Sequence, residues 1–259
     1  MPVLERPNCS LNYEIWGDRG RWIVLINGHT RTLNDFRSLG KKLVGSGMRV
    51  MAFDNRGAGK SVTAVDFSMA DFVSDLVALI KHAGISRTAV LGISMGGAIA
   101  QLAVVEHPEL FEKLILISTV ADQLDIISTG KKWGQDAQSI EEKLRTYFSP
   151  KFLESNKLLL QAMTKQVLAQ VQGGEFLARS ERQSKALKGF HAKDNLTKIA
   201  VPTLVMHGEV DPLMKLATAE EIAAKIPEAR LEVIAEAGHL LLAESPENVF
   251  KLARDFLLA

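Results

Sequence analysis

Short, nearly continuous apolar runs alternate along this chain with longer segments of helical spacing. That alternation limits the possible folds more than any single residue does. Trp22–Ile26 is apolar at every position, so it has no face to offer water and reads as a strand buried on both sides. Arg49–Phe53, 89–91, 114–117 and 203–206 are similar runs, apolar but for Arg49 and Thr203, and 11–16 and 231–234 supply an early and a late strand. Between them lie helix signals. Ser68 offers an N-cap with Asp71 three residues on, and Phe72, Leu76, Leu79 and Ala83 recur on one helical face before Gly84. Residues 95–107 form a second helical run closed by Pro108, and 216–226 a third. A terminal helix starts near Pro246, whose missing amide proton is harmless in a first turn, with Leu252 and Phe256 on its packing face. Strands alternating with helices predict an α/β fold, with a mostly parallel sheet flanked by helices.

The alternation breaks between 122 and 195, where helical runs occupy about 140–147, 157–171 and 177–187. This interval reads as an inserted helical cap bordering the site, dividing the chain into 1–121 (core, first part), 122–195 (cap) and 196–259 (core, second part). A chain of 259 residues can bury one sizeable core with such an insertion. The formal net charge of +1 gives no field to draw nucleic acid or an anionic membrane. A single cysteine, Cys9, forms no intrachain disulfide and suggests a reducing compartment. The N-terminus lacks a basic start followed by an apolar stretch, and no window is long and apolar enough for a membrane span. A soluble, cytoplasmic protein is therefore expected.

The chemistry centres on Gly92-Ile93-Ser94-Met95-Gly96-Gly97, a serine between small residues at a strand-to-helix junction. A neutral serine is a poor nucleophile. It needs a histidine to take its proton and an acid to hold that histidine. Gly92 and Gly96 permit a sharp turn that lifts the Ser94 hydroxyl above the sheet's carboxyl edge. His239, in Ala237-Gly238-His239 after the last strand, is the candidate base. Asp211 follows the 203–206 strand and is a candidate acid, with Glu209 a competitor two residues away. His29 and His207 are alternative bases by position. Asn27-Gly28-His29-Thr30 follows a buried strand, so its backbone amides can meet a developing oxyanion, and the Met95 amide follows the nucleophile directly.

With these residues in view, the chain resembles the α/β-hydrolase superfamily over nearly its full length. Four anchors occur in that family's order: Asn27-Gly28, the run from Asp54 to Ser61, the Ser94 elbow, and the Asp211/His239 pair. The resemblance implies about eight strands with a lid after the sixth. It also implies Ser94 as nucleophile, Asp211 rather than Glu209 as acid, His239 as base, and His29 and Met95 as oxyanion amides. Asp54 and Arg56 would fix the geometry of a structural loop. Among branches the chain looks most like small carboxylesterases and 3-oxoadipate enol-lactonases, although Asn27 stands where a histidine is common.

The expected reaction is cleavage of a small organic ester or lactone through an acyl-serine, with no metal or organic cofactor required. Gly28, Trp133, Phe148, Phe152, Phe176 and Phe190 are the candidate pocket residues, and the aromatic ones among them are equally suited to packing a cap core. Carbon–carbon bond hydrolysis, thioester hydrolysis and a non-catalytic small-ligand receptor on the same scaffold are the competing readings.

Overall fold

The computed structural model describes residues 2–123 and 133–259. Among them, eight strands form one sheet: β1 (Val3–Arg6), β2 (Cys9–Trp16), β3 (Trp22–Ile26), β4 (Arg49–Phe53), β5 (Thr88–Ile93), β6 (Phe111–Ile117), β7 (Thr203–Gly208) and β8 (Arg230–Ile234). Their order is β1-β2-β4-β3-β5-β6-β7-β8. The pairs β1/β2 and β2/β4 are antiparallel, and every pair from β4 to β8 is parallel. The described residues also form ten α-helices: α1 (Arg37–Gly45), α2 (Met69–His82), α3 (Met95–Glu106), α4 (Ala137–Arg145), α5 (Pro150–Ser155), α6 (Lys157–Gln172), α7 (Phe176–Ala186), α8 (Leu216–Lys225), α9 (Leu241–Glu244) and α10 (Pro246–Leu258). None of the described helices is long and apolar enough to cross a membrane.

Strand β3 shows why its sequence has no polar face. Val24 and Ile26 pack into one core with Phe72 and Leu76 of α2 and Ile99 and Ala103 of α3. Ile23 and Leu25 pack into a second core with Leu39 and Leu43 of α1 and Val249 and Ala253 of α10. Two hydrophobic layers thus cover the two faces of the sheet. On α2 the Asp71 carboxylate accepts the Ser68 N–H at 2.8 Å, and Gly84 takes φ +67° just past the helix end. On α10 the deepest stripe is Val249, Ala253 and Leu257. Leu252 and Phe256, expected on that face together with the residues between them, flank the stripe and are partly buried.

Helix α1 and strand β1 have weak local signals. Gly40 lies inside α1, where glycine costs about 1 kcal/mol against alanine. A Cβ there would come within 2.3 Å of the Trp16 indole, so the ring's packing demands the glycine. Burying Leu39 and Leu43 contributes about 1.5–3 kcal/mol each, which outweighs the propensity cost. Strand β1 is short, half polar and stopped by Pro7, and it forms by pairing with β2 at the sheet edge.

Helices α4–α7 are inserted between β6 and β7 and have a core of their own around Ile140, Leu144, Leu160 and Val171. The insert's two ends meet at its base. Ala192 N–H donates to Ala121 O at 2.7 Å, Gln123 N–H donates to Phe190 O at 3.1 Å, and the His191 ring lies 2.5 Å from the Asp122 carboxylate. The Asp54 loop is bonded to its neighbours as the resemblance implies. Asp54 accepts the amides of Leu33 and Lys60, while Arg56 makes a buried bidentate pair with Asp75.

Candidate active site

Strand β5 ends at Ile93 and α3 begins at Met95, leaving Ser94 alone to turn the chain. It does so at φ +55° and ψ −120°, a left-handed conformation that is costly for a residue with a Cβ. The surroundings hold it there. Ser94 N–H donates to Ile117 O at 2.9 Å, and Ser94 O accepts from Thr119 Oγ1 at 2.7 Å and from Gly97 N–H at 2.9 Å. The elbow's small residues answer to close backbone approach. A Cβ on Gly92 would stand 2.3 Å from Gly96 O, and one on Gly96 would stand 2.2 Å from Ile26 O.

The loops after β7 and β8 bring Asp211 and His239 together. His239 Nδ1 lies 2.8 Å from Asp211 Oδ2, with both side chains almost fully buried. The other carboxylate oxygen accepts the amides of Leu213 and Met214 at 2.8 and 3.0 Å. Burial pushes the Asp211 carboxyl up. The His239 ring, His207 and the Leu213 amide together outweigh that and hold it below the usual carboxylate range. An ionised acid facing Nδ1 keeps the ring proton on that nitrogen, which leaves Nε2 as the lone pair available to a substrate-side proton. Glu209 is exposed and accepts the Glu236 amide at 2.9 Å, away from the imidazole.

The other histidines have structural surroundings. His207 is fully buried and donates from Nε2 to Met214 O at 3.0 Å, and burial lowers its pKa. His82 packs edge-on against Tyr13, and His107 lies just past the end of α3. His29 lies in the loop after β3 but turns its ring toward the insert. Its Nε2 is 2.9 Å from Ser180 O and 3.0 Å from Ser184 Oγ. A carbonyl only accepts, so Nε2 carries the proton. Burial lowers this ring's pKa and the Ser180 carbonyl opposes that, leaving it below the ordinary value.

The loop preceding His29 is braced by Asn27, the residue that departs from the family pattern. Its Oδ1 accepts the Gly28 N–H at 2.8 Å, its Nδ2 donates to Thr32 O at 2.6 Å, and Asn55 Nδ2 donates to its carbonyl at 2.7 Å. A Cβ on Gly28 would lie 3.2 Å from Ser94 Cβ, so the loop passes directly beside the serine. Within the described residues neither the His29 nor the Met95 amide donates to a protein acceptor.

A cavity of about 330 Å³ opens onto these groups. Gly28, His29, Ser94 and His239 line its floor, and Trp133, Tyr147, Met163, Val167 and Phe176 line the side formed by the insert. Of the candidate pocket residues, Gly28, Trp133 and Phe176 border the cavity. Phe148 and Phe152 do not, because they stack on each other at 4.9 Å with rings 11° apart. Phe190 packs into the main core at the base of the insert, and the Met95 side chain is also buried there. Sequence reasoning missed Tyr147, which stacks on Trp133 at 6.3 Å and lies 6.0 Å from the His239 ring. Burial pushes its phenol up to about 12. It also missed the face of α6 that carries Met163 and Val167. Their i, i+4 spacing is a legible signal, but nothing local tells a cavity wall from a cap core.

Comparison with known proteins follows the same outline. The family model for the alpha/beta hydrolase fold matches residues 21–246. A curated relative, 3-oxoadipate enol-lactonase 2 of Acinetobacter baylyi, is 28% identical, covering 95% of this chain and 92% of its own. The crystal structure of the enol-lactonase from Burkholderia xenovorans LB400 superposes with a TM-score of 0.86 at 25% identity, covering all of both chains. MGS-M2, an alpha/beta hydrolase enzyme from a Medee basin deep-sea metagenome library, reaches a TM-score of 0.90 at 19% identity, covering 100% of this chain and 98% of its own, a likeness of fold. With more than four-fifths of its residues inside the family model, the chain belongs to the α/β-hydrolase fold family.

Proposed function

We propose that this protein is a serine hydrolase that cleaves small carboxylic esters or lactones through an acyl intermediate on Ser94. His239, paired at 2.8 Å with the buried Asp211 and lining the same cavity as a serine held at φ +55°, is the observation that carries this reading. The two enol-lactonase relatives support the substrate class. The insert, 122–195, acts in this reading as the cap that shapes the acyl and alcohol subsites.

His239 Nε2 takes the Ser94 proton as Oγ attacks the carbonyl carbon. Asp211 holds the ring's orientation and stabilises its cationic form. The carbonyl oxygen becomes negative beside the amides of His29 and Met95, whose N–H groups receive that charge. The imidazolium then protonates the leaving alcohol. Water, deprotonated by the same ring, attacks the acyl carbon and frees Ser94. With a lactone the alcohol and acid leave as one molecule.

The test is turnover of a panel of esters, lactones and thioesters with product identification, run beside Ser94→Ala. An acid and an alcohol from the parent, with at least about a thousandfold loss in the variant, are expected. A ketone and acid from a diketone included beside the panel would instead indicate carbon–carbon hydrolysis, and a released thiol a thioesterase. Ligand binding without turnover, unchanged in Ser94→Ala, would indicate a receptor.

A further inference from the structure

The loop beside Ser94 is held from the insert. Arg31 N–H donates to Gly28 O at 3.2 Å, closing a turn with His29 and Thr30 at its centre. Thr30 sits at φ +60°, a left-handed value that glycine or asparagine ordinarily fills and that a β-branched residue resists. Relaxing Thr30 to a right-handed conformation requires rotating the His29–Thr30 peptide, and that rotation withdraws the Thr30 N–H. In the structure this N–H donates to Gln183 Oε1 at 2.7 Å.

Gln183 is on α7 and has no solvent exposure. Its Nε2 donates to Arg56 O at 2.9 Å, so both ends of its amide are used and its orientation is fixed. Three residues of α7 make the link to the turn: Gln183 to Thr30, and Ser180 and Ser184 to the His29 ring. Arg56 in turn is anchored by Asp75 in the main core. Gln183 of the insert therefore ties the strained peptide to the Arg56 loop of the sheet domain.

We infer that Gln183 is a positioning residue for charge stabilisation: through the Thr30 N–H it keeps the 28–31 turn in its left-handed form and so aims the neighbouring His29 amide at the carbonyl oxygen. This inference rests on the acyl-serine reading above. Gln183 touches neither substrate nor Ser94 in this account. Its effect on rate passes through the turn, and small displacements of an oriented donor cost rate steeply.

Two measurements test it. Residue-resolved amide exchange on the parent protein reads the clamp without any chemistry. Thr30 is expected to exchange far more slowly than an open loop amide, and exchange at the open rate overturns the inference. Steady-state kinetics of Gln183→Met, which keeps volume but neither hydrogen bond, are then normalised to Ser94 sites titrated with an organophosphonate. A fall in kcat of roughly 10- to 100-fold with KM within about twofold is expected, as is a smaller fall in Gln183→Glu, which retains an acceptor for Thr30. Parental kcat per titrated site in Gln183→Met overturns the inference, because a residue that only supports folding changes the number of sites and not their rate. The exchange measurement uses the parent, so it decides even where Gln183→Met does not fold. A Ser94→Ala variant that kept full activity would remove the acyl-serine reading, while a protected Thr30 amide would still report the clamp, so the two failures are distinguishable.

Discussion

At Asp211 the two carboxylate oxygens have separate partners, two backbone amides on one and an imidazole on the other. Asp211→Asn can keep the amide contacts, but its NH₂ or carbonyl group faces Nδ1 in place of a charge, so the ring's favoured tautomer is lost. A fall in kcat of about 10³- to 10⁴-fold with a retained fold is expected, measured on the best ester of the panel. Glu209→Gln, at an exposed position, is expected to stay within about twofold of the parent in the same assay. His207 gives the pH dependence. Its folded pKa lies below the unfolded value, so the unfolded chain binds the proton more readily. Its stabilising contribution is full above about pH 6.5 and shrinks as pH falls below that value toward the folded pKa. His207→Gln keeps a donor for Met214 O and removes the titration. The drop in Tm between pH 8 and pH 5.5 is therefore expected to be smaller in the variant than in the parent, by thermal unfolding.

Among the elements, the junctions carry more consequence than the helix and strand interiors. A methyl group at Gly96 has no room against the Ile26 and Asn27 carbonyls, and backbone cannot step aside as a side chain can. Gly96→Ala is expected to destabilise the protein by at least about 1–3 kcal/mol, read from denaturant unfolding. Glu244 of α9 accepts the amide of Gly238 at 3.1 Å and the hydroxyl of Ser149 at 2.6 Å, joining the His239 loop to the insert. Glu244→Ala is expected to cost about 1–3 kcal/mol in the same experiment and to lower kcat as the loop loosens. The strands buried on both faces were legible because burial leaves few polar positions in them. Helix α1 was not, because Gly40 looks like a helix breaker until Trp16 is folded against it. The same limit applied to α10, whose apolar positions were evident but whose deepest stripe is set by the sheet beneath it.

Over the whole molecule, the insert is bonded to two of the loops that border the cavity. Tyr147 O accepts the amides of His239 and Leu240 at 3.0 and 3.3 Å, and α7 holds the turn after β3. Ser94 and His239 stood out in the sequence because each follows a strand beside glycine, whereas Asp211 was separated from Glu209 only by the family resemblance. The cavity wall did not stand out. Phe148 and Phe152 have the same composition signal as Phe176, and only tertiary packing separates a stacked pair from a residue bordering the cavity. The contact of Gly96 with the carbonyls that end β3 has a mechanical result. The strand that leads into the 28–31 turn and the helix that follows Ser94 meet backbone to backbone, with no side chain between them to yield. A displacement of this end of the sheet therefore moves the 28–31 turn and the Ser94 backbone together, with little freedom for one to shift against the other.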